Sequence, residues 1–121
     1  MPYDSQNIFA RILRNEIPCD EVYEDEYALA FHDINAQAPV HVLVIPKGRY
    51  VSVADFARDA SAAEIEGFFR AVGEVARLVG AEENGYRLLA NHGADSHQEV
   101  PHFHVHILAG RPLGPLVVKG K

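Results

Sequence analysis

A chain of 121 residues with 48% apolar side chains suits one ordinary domain with a single core, and excludes a long disordered or low-complexity protein. The net charge of −6, with no cluster of lysine and arginine, argues against a general nucleic-acid binder, which needs a basic surface facing phosphates. The apolar run Val42-Leu43-Val44-Ile45 is far shorter than the roughly 20 residues of a membrane helix, so no membrane association is expected.

The N-terminal stretch MPYDSQNIFARI has neither a basic start nor an apolar core, so no secretory signal is expected there. Cys19 is the only cysteine, which excludes an intrachain disulfide and fits a cytoplasmic location. Residues 7–15 read as a short helix with Ile8, Phe9, Ile12 and Leu13 on one face, limited by Pro18. Residues 21–24 and 27–33 read as two strands around the acidic turn Glu24-Asp25-Glu26. A loop ending in Pro39 leads to a third, central strand over residues 41–45, closed by Pro46 and Gly48.

The clearest element spans residues 61–79. Ser61 and Glu64 form a capping box, Ile65, Phe68, Phe69, Val72, Val75, Ala76 and Val79 recur at helical spacing, and Gly80 ends the helix. Fourth and fifth strands are expected over 86–91 and 102–108. The spacing predicts an α+β domain with a mainly antiparallel sheet of about five strands, one long helix and one short one.

The fifth strand carries the chemistry. In His102-Phe103-His104-Val105-His106-Ile107-Leu108 three imidazoles alternate with apolar residues. Strand geometry sends them to one face, about 7 Å apart at Cα, with Phe103, Val105 and Ile107 toward the core. Protonating all three would crowd positive charge, so their titrations are expected to couple, with the charged forms disfavoured.

Three readings compete. The row is a polar strand face; or it holds a metal; or one neutral ring attacks a substrate while its neighbours manage charge and protons. Structural zinc usually takes cysteine, and Cys19 is distant in sequence. Ile107-Leu108-Ala109-Gly110 offers no acidic ligand after the row, so no metal and no cofactor are expected. Imidazole attack on phosphorus suits the row, with flanking rings donating to phosphate oxygens and assisting the leaving group.

The stretch HFHVHIL matches the histidine-triad pattern, His-φ-His-φ-His-φ-φ with φ apolar, at every position. The wider chain resembles the Hint-like, nucleotide-binding branch of the histidine triad (HIT) family. It does so through NIFARILRNEIP, ALAFHDINAQAPVHVLVIPK, the region of Asn91, and QEVPHFHVHILAGRPLGP. The resemblance implies one HIT domain over residues 1–121, and a homodimer in which strands of both subunits form one sheet. It also implies a purine nucleotide, such as AMP or GMP, bound in a cleft. The implied activity is hydrolysis of purine nucleoside 5′-phosphoramidates of the AMP-amine or AMP-lysine type. Hydrolysis of dinucleoside polyphosphates, or a non-catalytic nucleotide sensor or scaffold, stands as the alternative.

Carried over by position, the resemblance makes His104 the nucleophile, His106 a contact to phosphate oxygens or the bridging atom, and His102 with His41 a supporting relay. Phe31, His32, Asp33 and Ile34 match the segment around base and ribose, Asp33 accepting from the ribose hydroxyls. Ile8, Phe9 and Leu43 match the apolar walls, and Asn91 a phosphate-side amide. Gln98, Glu99 and Val100 complete the nucleotide-binding set. Apolar walls and a carboxylate suit a purine and its ribose, but the same residues also suit plain core packing and, for Asp33, a capped turn. The chain departs from the branch at Ser96-His97, where two glycines are common, at Pro101, where tyrosine is frequent, and at Glu99, where some members have serine.

Overall fold

The computed structural model describes residues 3–117. Its five strands, β1 (Glu21–Glu24), β2 (Ala28–His32), β3 (Val40–Pro46), β4 (Tyr86–Leu89) and β5 (Val105–Ala109), form one sheet in the order β1-β2-β3-β5-β4. Every neighbouring pair is antiparallel. Leu43 of β3 faces Phe31 of β2 on one side and His106 of β5 on the other, so the central strand brings Phe31 and the histidine row into register.

Alternation along the strands splits the interior in two. Ala28, Ala30, Val42, Val44, Val105, Ile107 and Ala109 pack with Phe68, Val72 and Val75 of the long helix α3 (Ala62–Leu78). Leu29, Phe31, Leu43 and Ile45 face the opposite way and pack with Phe9 and Ile12 of α1 (Ile8–Leu13). Period 2 within one strand thus puts His41 and Leu43 of β3 on the α1 side, away from the larger core.

Capping fixes where the helices begin. The Asn7 side chain accepts from the Ala10 amide, and Ser61 and Glu64 form the expected capping box. A second short helix, α2 (Val53–Asp59), was not expected; its own capping box pairs Ser52 with Asp55. Its seven residues bury only Phe56, too little periodicity to announce a helix. The Phe56 ring lies 5.3 Å from Phe68, edge to face, and 5.1 Å from Phe103, which ties α2 and α3 to the approach of β5.

The fifth strand also begins later than expected, because ladder pairing starts at Val105. His102 and Phe103 instead bond outside the sheet, the Phe103 amide donating to the Tyr50 carbonyl at 2.7 Å. Among the described residues no helix is long and apolar enough to cross a membrane.

Candidate active site

The space between α1, the α1 side of the sheet and the loop before β5 is a cleft of about 710 Å³. Phe9 and Phe31 meet edge to face at 5.5 Å, and Phe9 meets the His104 ring the same way at 4.9 Å. Ile8, Phe9, Phe31, Leu43 and Val100 give the cleft its apolar surface, with Ile34 exposed at its rim. His32, Asp33, His41, Asn91, Glu99, His104 and His106 supply polar groups.

Two expected members stand elsewhere. Gln98 does not line the cleft: its amide donates to the carbonyls of Val51 at 3.0 Å and Val100 at 3.1 Å, and its carbonyl oxygen accepts from the Gly93 amide. It therefore pins the loop that carries Glu99 and Val100. His102 is fully buried, with Nε2 3.0 Å from the Pro46 carbonyl and Nδ1 2.6 Å from the Tyr3 hydroxyl.

The hydrogen bonds settle which nitrogen of each ring carries the proton. A carbonyl oxygen only accepts, so His102 holds its proton on Nε2 and accepts from Tyr3 at Nδ1. By the same rule His104 donates from Nδ1 to the His102 carbonyl at 2.6 Å, which leaves its Nε2 as a free lone pair. What His102 gives the central ring is thus its backbone carbonyl.

A second chain runs through His41. The Gln37 amide donates to His41 Nδ1 at 3.0 Å, so the His41 proton sits on Nε2. That proton points at His106 Nδ1, 2.9 Å away, and forces the His106 proton onto Nε2. His106 Nε2 is buried without a hydrogen-bond partner among the described residues. Arg111 holds this chain from behind by donating to the Gln37 carbonyl at 3.1 Å. Gly110, at φ +99°, lets the backbone pass Pro39, where a Cβ would approach to 2.8 Å. His41 accordingly supports His106, while the His102 carbonyl supports His104.

Electrostatics keep the row neutral. Burial lowers His104 below the ordinary imidazole range, the bond to the His102 carbonyl opposing it. Burial, together with His104 and His41, pushes His106 down to about 4. Burial likewise pushes His102 down to about 4, and lowers His41 against the pull of Asp33. Asp33 Oδ1 accepts from the Asn35 amide at 2.8 Å and its Oδ2 lies 3.4 Å from His41 Nε2, so the carboxylate both caps a turn and faces the relay.

Asp33, His41 and His106 bring three potential ligand atoms within 4.8 Å of one another. The 2.9 Å contact between the two rings is already a proton-filled hydrogen bond, which a bridging ion would have to displace. Sequence reasoning missed Ile12, Ile17, Pro18, Cys19, Asp20, Asn35, Gln37 and His97 in the cleft wall, and Tyr3 behind the row. Ile12 was legible as the next turn of the Ile8 face. Gln37 was not, because it acts through its backbone amide.

The fold and the row define a histidine triad protein: residues 14–113 match the HIT domain, and the chain belongs to that family. More particularly, it is 65% identical over 118 residues to an uncharacterised 13.2 kDa HIT-like protein of Azospirillum brasilense, covering 98% of this chain and 97% of the other. It is 41% identical over 112 residues to the purine nucleoside phosphoramidase of Escherichia coli K12, covering 93% of each. A histidine triad protein from Clostridium difficile superposes with a TM-score of 0.84 at 38% identity, covering 96% of this chain and all of that one. A HIT family hydrolase from Legionella pneumophila is also similar in structure, with a TM-score of 0.81 at 37% identity, covering 88% of this chain and 95% of that one.

Proposed function

We propose that this protein hydrolyses purine nucleoside 5′-phosphoramidates through a covalent nucleotidyl group on His104. The carrying observation is the opposed protonation of two neighbouring rings. His104 presents a lone pair at Nε2 and His106 an unpartnered N–H, with ring centroids 5.0 Å apart in one cleft. The E. coli relative, named a purine nucleoside phosphoramidase, supports the same reaction class.

In the first step the His104 Nε2 lone pair bonds to the α-phosphorus and the P–N bond breaks. The amine leaves with that electron pair and takes its proton from solvent at the cleft mouth, while the His106 Nε2–H donates to a phosphate oxygen. In the second step water bonds to phosphorus, the electron pair of the Nε2–P bond returns to His104, and the water's surplus proton goes back to solvent. The nucleoside monophosphate is released. Phe9, Phe31 and Leu43 sandwich the purine, Asp33 takes the ribose hydroxyls on lone pairs its local partners leave open, and Asn91 reaches the phosphate.

The reading includes a homodimer with a continuous sheet and a cytoplasmic setting, which the unpaired thiol of Cys19 suits. The test is release of AMP from an adenosine 5′-phosphoramidate by wild type and His104→Ala, beside AMP affinity by calorimetry. Turnover falls at least roughly 1,000-fold while AMP still binds. Full activity in the variant rejects the mechanism, and binding without turnover in the wild type favours a sensor or scaffold. Activity persists with a chelator; its loss and recovery with zinc would favour a metal centre.

A further inference from the structure

The cleft has a charge pattern at odds with a highly anionic ligand. Among the described residues that line it are three carboxylates, Asp20, Asp33 and Glu99, and no lysine or arginine. The rings of His41, His104 and His106 add no positive charge at neutral pH, since burial holds all three below the ordinary range. Phosphate groups at the row therefore meet hydrogen-bond donors but no lysine or arginine, and each extra negative charge on a substrate works against the three carboxylates.

Strand order separates the two ends of the cleft. Phe31, Asp33 and Ile34 stand at the end of β2, His41 and His106 lie on β3 and β5, and Asn91, His97 and Glu99 lie on the connection from β4 to β5. With the nucleoside against β2 and phosphorus at the row, the group beyond phosphorus faces the wall that carries Glu99. Asp33 is turned toward Asn35 and His41, but Glu99 is bonded only to His97, at 2.9 Å. Both side chains stand free at the mouth, 87% exposed for His97 and 74% for Glu99. His97 is held there at φ +61°, a left-handed conformation that a residue other than glycine seldom adopts, by a loop that Gln98 pins from inside.

We propose that Glu99 is a specificity-determining residue that selects leaving amines bearing a second, cationic group. This rests on the phosphoramidase reading of the same site. One Glu99 oxygen is occupied by His97, and the carboxylate keeps lone pairs for an ammonium arriving with the leaving group. The same charge repels a polyphosphate leaving group, which sets the cleft against dinucleoside polyphosphates. Because the pair is exposed, the selection is modest and fades with salt.

The test uses two adenosine 5′-phosphoramidates of equal chain length, one made with butylamine and one with 1,3-diaminopropane, so that a methyl is exchanged for an ammonium. The readout is the ratio of kcat/KM for the cationic over the neutral substrate. We expect a wild-type ratio of about fivefold at low salt, shrinking in high salt. Glu99→Gln brings the ratio to about one and Glu99→Lys takes it below one, as expected for a term set by one exposed charge. A ratio that neither substitution moves overturns the inference while leaving the phosphoramidase reading intact. If the wild type cleaves neither substrate, that reading falls and the selectivity falls with it.

Discussion

His104 donates its Nδ1 proton to the carbonyl oxygen of His102, two residues back in its own chain, at 2.6 Å. The nitrogen proposed to attack is therefore oriented by backbone, and no second side chain must titrate for it to stay a base. His102 cannot supply a proton from its ring to this bond, because that ring faces Pro46 and Tyr3.

The first prediction concerns pH. A neutral His104 is needed for attack, and burial lowers its affinity for protons, so the competent form persists below the ordinary imidazole value of about 6.5. His106, pushed down to about 4, stays neutral over the same range. The acid limb of kcat/KM thus lies below pH 6.5, and activity is lost as pH falls through it. A limb above 6.5, measured on AMP release, would contradict the buried environment of the row.

The relay through His41 gives the second prediction. Removing His41 frees His106 to place its proton on either nitrogen, so the donor at Nε2 is no longer enforced. His41→Ala lowers kcat about tenfold, the size of one hydrogen bond to a group that gains charge. His41→Gln, whose amide can still donate to His106 Nδ1, recovers part of that loss. Equal rates in the two variants would show that His41 only fills space.

Much of this arrangement can be read from side-chain patterns. The unbroken apolar run Val42, Leu43, Val44 and Ile45 marks a strand buried on both faces, and Ser61 with Glu64 marks the long helix. The row itself is legible as residue types at spacing two. Its wiring is not, because the Gln37 amide and the Pro46 and His102 carbonyls are groups that every residue of their kind possesses. The late start of β5 is hidden for a similar reason: Phe103 alternates like a strand residue, yet its amide bonds to Tyr50 outside the ladder. The placement of Glu99 in the same cleft as Phe31 and Asp33 depends on sheet order, which local periodicity does not contain.

Stability should respond to acid through His102. Its folded value is about 4, against about 6.5 in an unfolded chain. Below pH 6.5 the unfolded state binds a proton that the folded state refuses, so stability is full above that pH and declines until about pH 4. The decline attributable to this group is about 3 kcal/mol. Tyr3→Phe leaves His102 Nδ1 without its donor and costs about 1–3 kcal/mol at neutral pH. Urea unfolding of both proteins at pH 7.5 and 4.5 measures the two effects; an unchanged midpoint for Tyr3→Phe would mean that the hydroxyl does not hold the ring.

The last prediction follows from the two sheet edges. An edge strand offers unpaired amides and carbonyls to another chain unless its side chains oppose pairing. On β1, Glu21 and Glu24 are exposed and the register shifts between Glu21 and Tyr23, so a second copy meets like charge and an irregular ladder. On β4, Tyr86 and Leu88 share one face and are 45% and 46% exposed, which presents an apolar edge two residues long. The continuous sheet of the proposed homodimer therefore forms through β4. Leu88→Lys puts a charge on that edge and converts the dimer to a monomer, read as a halved mass by light scattering. Glu21→Lys, on the opposite edge, leaves the mass unchanged. A dimer that survives Leu88→Lys but dissociates with Glu21→Lys would move the interface to β1.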